Sequence, residues 1–102
     1  ENIKDVLPLA PVRLSELTEG QFVLFGRVTC PWTRRFAKQL PGYADKTIYY
    51  VDTENTDLDN ELQAIRKAHE INTVPTFMKR GADGTFVKFD EKIESLSDFI
   101  SQ

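Results

Sequence analysis

The chain's single cysteine, Cys30, stands in Val28-Thr29-Cys30-Pro31-Trp32-Thr33, after the apolar run Phe22-Val23-Leu24-Phe25 and before a basic stretch. A strand that delivers a thiol onto a helix start suits redox chemistry, because the unsatisfied N–H groups there favour the thiolate. Cysteine at position 33 would complete Cys-Pro-Trp-Cys, a dithiol pattern for disulfide exchange, but the chain has Thr33. Cys30 can then form a mixed disulfide but cannot release itself by internal attack, so net reduction needs an external thiol. Thr33 can still donate its hydroxyl to the thiolate and hold the thiol pKa down. Arg27, Arg34, Arg35 and Lys38 add positive charge over residues 27–38, where no acid occurs. The competing reading makes Cys30 a small helix-capping hydrophobe and the basic residues a solvated face.

Trp32, next to the thiol, is either a core aromatic or an exposed landing surface for a peptide, and its charged neighbours Arg34 and Arg35 favour exposure. Val74-Pro75, between Thr73 and Thr76, is a second element of interest; alone, Pro75 reads as an ordinary proline opening an edge strand. His69 shares a helical spacing with Leu58, Leu62 and Ile65 and reads as a packing residue rather than a base for the thiol. Glu54, Asp57, Asp59 and Glu61 lack the loop glycine and terminal glutamate of a calcium loop and read as complements to a helix N-terminus.

The elements that must position these residues follow from pattern. Residues 1–13 read as an N-terminal arm or first strand, with Pro8 and Pro11 favouring extended backbone, and residues 14–102 as one domain. Ser15 to Gly20 reads as one helical turn ended by glycine, and Gln21 to Gly26 as a central strand apolar on both faces. Pro31 suits the first position of a helix running through Phe36 and Leu40 to the stop at Pro41-Gly42, with Cys30 as N-cap. Thr47 to Val51 is a second inner strand, and a helix beginning near Thr56 to Asp59 follows. Thr76 to Lys79 and Thr85 to Phe89, joined by Gly81-Ala82-Asp83-Gly84, form an antiparallel hairpin, and Ser95 caps a last helix with Leu96, Phe99 and Ile100. This order gives an α/β fold: a central mixed sheet with parallel inner strands and an antiparallel C-terminal hairpin, flanked by helices.

Composition bounds the function. The 102 residues, 40% hydrophobic, fit a single packed domain. A net charge of −3 argues against nucleic acid as a partner. One cysteine and one histidine provide neither an internal disulfide nor a zinc site, so no metal or other cofactor is expected. No apolar run is long enough to insert into a membrane. Because the chain opens on Glu1 rather than Met, the missing signal segment says little, and a cytoplasmic or a cell-envelope-associated bacterial location is compatible.

Phe22 to Phe36 and Thr73-Val74-Pro75-Thr76-Phe77 together resemble the thioredoxin-like superfamily, in which a cysteine at a helix start faces an x-Pro loop. The resemblance implies a thioredoxin-like fold, a cis Val74-Pro75 bond, Val74 backbone groups offered to an extended peptide, and attack by Cys30 on a disulfide sulfur beside them. Phe25-Gly26-Arg27-Val28-Thr29-Cys30-Pro31-Trp32, Ile48 to Thr53 and the Phe89-Asp90 to Phe99 tail are similar to the small bacteriocin transport accessory proteins of Gram-positive bacteria. That likeness, over about residues 14–102, implies assistance to disulfide formation or isomerisation in secreted peptides, with a bacteriocin precursor or export machinery as partner.

Besides Thr33, two departures stand out. Leu24 replaces the buried acid that typical thioredoxins carry six residues before the first active-site cysteine, and the glycine-pair and aspartate signature of glutathione-binding glutaredoxins is missing. The reading is therefore a monothiol oxidoreductase or isomerase acting on protein or peptide disulfides. Cys30 is the nucleophile, Thr33 its support and Pro31 the shaper of the helix start. Trp32, Val74 and Pro75 contact substrate, and Arg27, Arg34 and Arg35 tune charge. The alternative is a non-catalytic peptide-binding module that has lost the redox cycle.

Overall fold

A computed structural model describes residues 6–102; the part of the expected arm before Val6 lies outside them. The chain forms β1 (Leu7–Pro8), β2 (Phe22–Gly26), α1 (Pro31–Ala37), β3 (Ile48–Asp52), α2 (Asn60–Ala68), β4 (Thr76–Arg80), β5 (Phe86–Lys88) and α3 (Leu96–Ser101), with short 3-10 turns between several of them. The five strands make one sheet in the order β1-β3-β2-β4-β5. β3 runs parallel to β1 and β2, while β4 is antiparallel to both β2 and β5. This is the mixed sheet expected, with a two-residue strand from Leu7 to Pro8 added at one edge, where a missing N–H is tolerated.

β2 is central because both of its faces are covered. Val23 and Phe25 join Val51, Leu62 and Met78 on the α2 face, while Phe22 and Leu24 join Ile48, Phe77, Phe99 and Leu40 on the other. The register explains the sharing: Leu24 lies opposite Phe77 and Val23 opposite Met78, so paired residues point the same way. Each such fully buried side chain contributes about 1.5–3 kcal/mol relative to exposure. No described helix is long and apolar enough to cross a membrane.

Three local expectations need correction. The first helical turn is a 3-10 helix over Pro11–Glu16, not Ser15 to Gly20; Pro11 presets its start, and Gly20, with φ of +89°, serves a separate turn. α1 stops at Ala37, and a separate 3-10 turn, Leu40–Tyr43, carries buried Leu40. The cause is Pro41, which lacks an N–H for a continuing helix and whose ring clashes with the carbonyl four residues back, that of Ala37. Leu58 does not share the buried face of Leu62; it is 88% exposed on the 3-10 turn Thr56–Leu58. Extended Asp59 breaks the periodicity there, and its carboxylate accepts the Leu62 N–H to cap α2.

Candidate functional site

Cys30 occupies the N-cap of α1, with Pro31 at the first helical position and extended backbone at φ −90°, ψ 119°. Cys30 as a residue is only 9% exposed, and its thiol lies 4.0 Å from the Val74 carbonyl oxygen, on the loop whose Val74-Pro75 bond is cis. Cys30 and the Val74–Pro75 loop, 44 residues apart in sequence, are thus brought together. The thiol pKa lies below its ordinary value. The largest cause is the Thr33 backbone N–H; burial opposes it, and the Thr33 hydroxyl, the Trp32 N–H and the Arg27 charge reinforce it.

Thr33 is fully buried beneath the thiol. Its Oγ1 accepts the Arg27 N–H at 3.3 Å, which leaves the hydroxyl proton available to Cys30. The isosteric Thr33→Val variant removes that proton and is expected to raise the thiol pKa while leaving it below the ordinary value, because the backbone N–H groups remain. Thiolate absorbance near 240 nm as a function of pH reads both halves of this expectation.

Of the basic residues, Arg27 is the one whose charge contributes to lowering the thiol pKa. Arg34 turns back to the Val28 carbonyl oxygen, and Arg35 stacks over the Trp32 ring at 4.7 Å. Both guanidinium groups are thus engaged with neighbours of their own helix start rather than with the thiol. Trp32 is 62% exposed. With Phe36, Val74, Pro75, Phe77 and Phe89 it lines a groove of about 480 Å³. Leu24 is fully buried.

His69 is remote from this constellation. It caps the C-terminal end of α2 and meets the Phe86 ring edge-on at 5.4 Å; burial, then the Lys88 charge, lowers its pKa. Among the described residues no group of His, Cys, Asp or Glu is placed to hold a metal ion.

Two features escaped the sequence. The first is Gly26, where a Cβ would sit 2.5 Å from Thr33 Cγ2 and 2.8 Å from its Oγ1. The Gly26 carbonyl is held by both the backbone N–H (2.8 Å) and the hydroxyl (3.1 Å) of buried Thr53. The bare backbone at the end of β2 is therefore what lets Thr33 pack under Cys30. Gly26→Ala is expected to destabilise the fold by about 1–3 kcal/mol through overpacking and to reduce thiolate formation at Cys30; urea melts and thiolate absorbance check the two effects. A glycine at the end of an otherwise apolar strand was the available signal. The second is a polar cavity of about 390 Å³ on the other side of the Thr73–Val74 segment, which includes Cys30, Arg27, Glu54 and Arg66. No local pattern brings those residues together.

No protein-family model matches the chain, and no curated protein matches it. Among solved structures it is similar to the crystal structure of the J-Trx1 fragment of ERdj5, with a TM-score of 0.64 and 15% sequence identity. The match covers 85% of this chain and 43% of that one, so this chain spans less than half of that fragment's length. The fold is thioredoxin-like.

Proposed function

We propose that this chain exchanges disulfides of proteins or peptides through Cys30 as its single nucleophile. The observation that carries the reading is the lowered pKa of a thiol placed 4.0 Å from the Val74 carbonyl, beside an exposed Trp32 and an open groove. The Cys30 thiolate attacks one sulfur of a substrate disulfide, the substrate S–S bond breaks, and the second sulfur leaves as a thiolate that takes a proton from water. In the mixed disulfide, the substrate's own thiol can attack and release Cys30, which isomerises the substrate without net redox change. A free thiol that instead attacks Cys30 Sγ releases the substrate as a dithiol, and a second free thiol then releases Cys30 as a small-molecule disulfide forms, which completes a reduction. Backbone groups of Val74 and the apolar surface of Trp32 and Pro75 hold the substrate chain alongside.

The substrate class we favour is a secreted cystine-containing peptide of the bacteriocin kind, with the chain as an accessory to its maturation or export; the support is the sequence likeness over Phe25 to Trp32, Ile48 to Thr53 and the C-terminal tail. A second reading, peptide binding without chemistry, draws on one contrast: Cys30 is 9% exposed while Trp32 beside it is 62% exposed. Incubation of the reduced protein with a cystine-bridged peptide, acid quenching and intact-mass analysis separates the two. Exchange predicts a peptide adduct on Cys30 that is absent in Cys30→Ser and several-fold less abundant in Trp32→Ala. Binding without adduct supports the module.

A further inference from the structure

The cavity beside Cys30, on the far side of Val74 from the peptide groove, carries charges that do not satisfy one another. Arg27, Cys30, Glu54, Asp57, Arg66 and Asn72 line it, and Thr73 and Val74 are shared with the peptide groove. Two arginines and two acidic residues therefore line one space of about 390 Å³. None of them is joined to another in an ion pair; among the described residues the one ion pair is the remote Arg13–Glu16 contact.

Two of these charges are held in place by neutral partners. Arg66 donates from Nε to the Ile71 carbonyl at 3.1 Å and from Nη1 to Thr56 Oγ1 at 3.0 Å, while Glu54 Oε1 accepts the Thr29 hydroxyl at 2.6 Å. Fixed charges of both signs around a thiol complement a ligand that carries both signs and a sulfur.

We propose that this cavity binds a small α-amino-acid thiol, of cysteine type, as the external thiol that Thr33 in place of a second cysteine makes necessary. The inference rests on the exchange reading above. The ligand carboxylate meets Arg27 and Arg66, its ammonium meets Glu54 and Asp57, and its sulfur faces Cys30 from the cavity while the peptide occupies the groove. Its thiolate attacks Cys30 Sγ in the mixed disulfide; the bond from Cys30 Sγ to the peptide sulfur breaks and the peptide leaves as a thiolate. A second molecule of the thiol then attacks the bound half, releasing a symmetric small-molecule disulfide and the Cys30 thiolate. Two thiols lose two electrons and two protons, and one peptide disulfide gains them.

The test uses the full chain carrying a thionitrobenzoate adduct on Cys30, formed with Ellman's reagent. Chromophore release is followed with cysteine, cysteamine, 3-mercaptopropionate and 2-mercaptoethanol, each corrected for its thiolate fraction. Cysteine is expected to act with saturation and roughly tenfold faster per thiolate than 2-mercaptoethanol, the size of two solvent-accessible charge contacts. The cysteine-to-mercaptoethanol ratio is expected to fall toward one in Asp57→Asn and in Arg66→Gln; Asp57 is exposed, so its variant keeps the test decisive if loss of Arg66 impairs folding. Equal, non-saturating rates for all four thiols would overturn the inference and leave exchange at Cys30 standing. A preference for mercaptopropionate or cysteamine over cysteine would overturn it too, since a site for one charge does not need the other. Failure of Cys30 to take the adduct in folded protein would overturn the exchange reading, and this inference with it.

Discussion

The Thr33→Cys variant is expected to reduce insulin with turnover in the presence of dithiothreitol, at a rate on the order of a hundredfold above the unsubstituted chain. The reason is positional. Thr33 lies one helical turn after Cys30, is fully buried, and its backbone N–H and hydroxyl both hold the thiol pKa down. A cysteine side chain there carries a sulfur in place of that hydroxyl and no counterpart of the Thr33 Cγ2 methyl, which occupies the space where Gly26 has no Cβ. The resolving step then becomes intramolecular, and the mixed disulfide collapses without waiting for a solution thiol. Insulin precipitation, followed by turbidity, reads the gain. A folded Thr33→Cys protein no faster than the unsubstituted chain would mean that the site around Cys30 is not competent for exchange, and the module reading would take its place.

Phe77→Ala is expected to cost about 3–5 kcal/mol of stability, a large part of the roughly 5–15 kcal/mol that a domain possesses. Phe77 is 2% exposed at the centre of an aromatic cluster. It stacks on Phe22 at 5.4 Å with an interplanar angle of 2° and meets Phe36 at 5.3 Å and Phe99 at 5.9 Å. Those partners come from β2, α1 and α3, so no single neighbour can move to fill the space without disturbing another. Phe77 also lines the groove beside Trp32 two residues after Pro75, so loss of its ring is expected to slow adduct formation at Cys30 as well. Urea titration gives the stability change; a loss below about 1 kcal/mol would contradict this account of the core. Leu58→Ala, at a site 88% exposed, is the control and is expected to stay within about 0.5 kcal/mol of the unsubstituted chain.

What could be read from the sequence follows from how local each determinant is. Phe22 to Phe25 announces a doubly covered strand because every residue is apolar, and Cys30-Pro31 announces a helix start because proline sits at its first position without losing a hydrogen bond. Ser95, whose hydroxyl accepts the Asp98 N–H, marks α3 in the same local way. Leu58 misled because its spacing to Leu62 fits a helix, whereas Asp59 caps the helix later and leaves Leu58 outside. The placement of the Arg34 and Arg35 guanidinium groups could not be read from their proximity in sequence to Cys30, since one reaches Val28 and the other covers Trp32. The cavity of Arg27, Glu54 and Arg66 was beyond reach altogether, since the loop after β2, the turn after β3 and α2 contribute one charge each and only the fold brings them together.

The account stands on Cys30 being a thiolate by virtue of its surroundings, and the pH dependence of its alkylation by iodoacetamide tests that most directly. The predicted result is a rate that reaches half its plateau at a pH below that of free cysteine, and closer to the free value in Thr33→Val. Slow labelling with a midpoint at or above that of free cysteine would contradict the account and leave Cys30 as a helix cap beside a peptide groove.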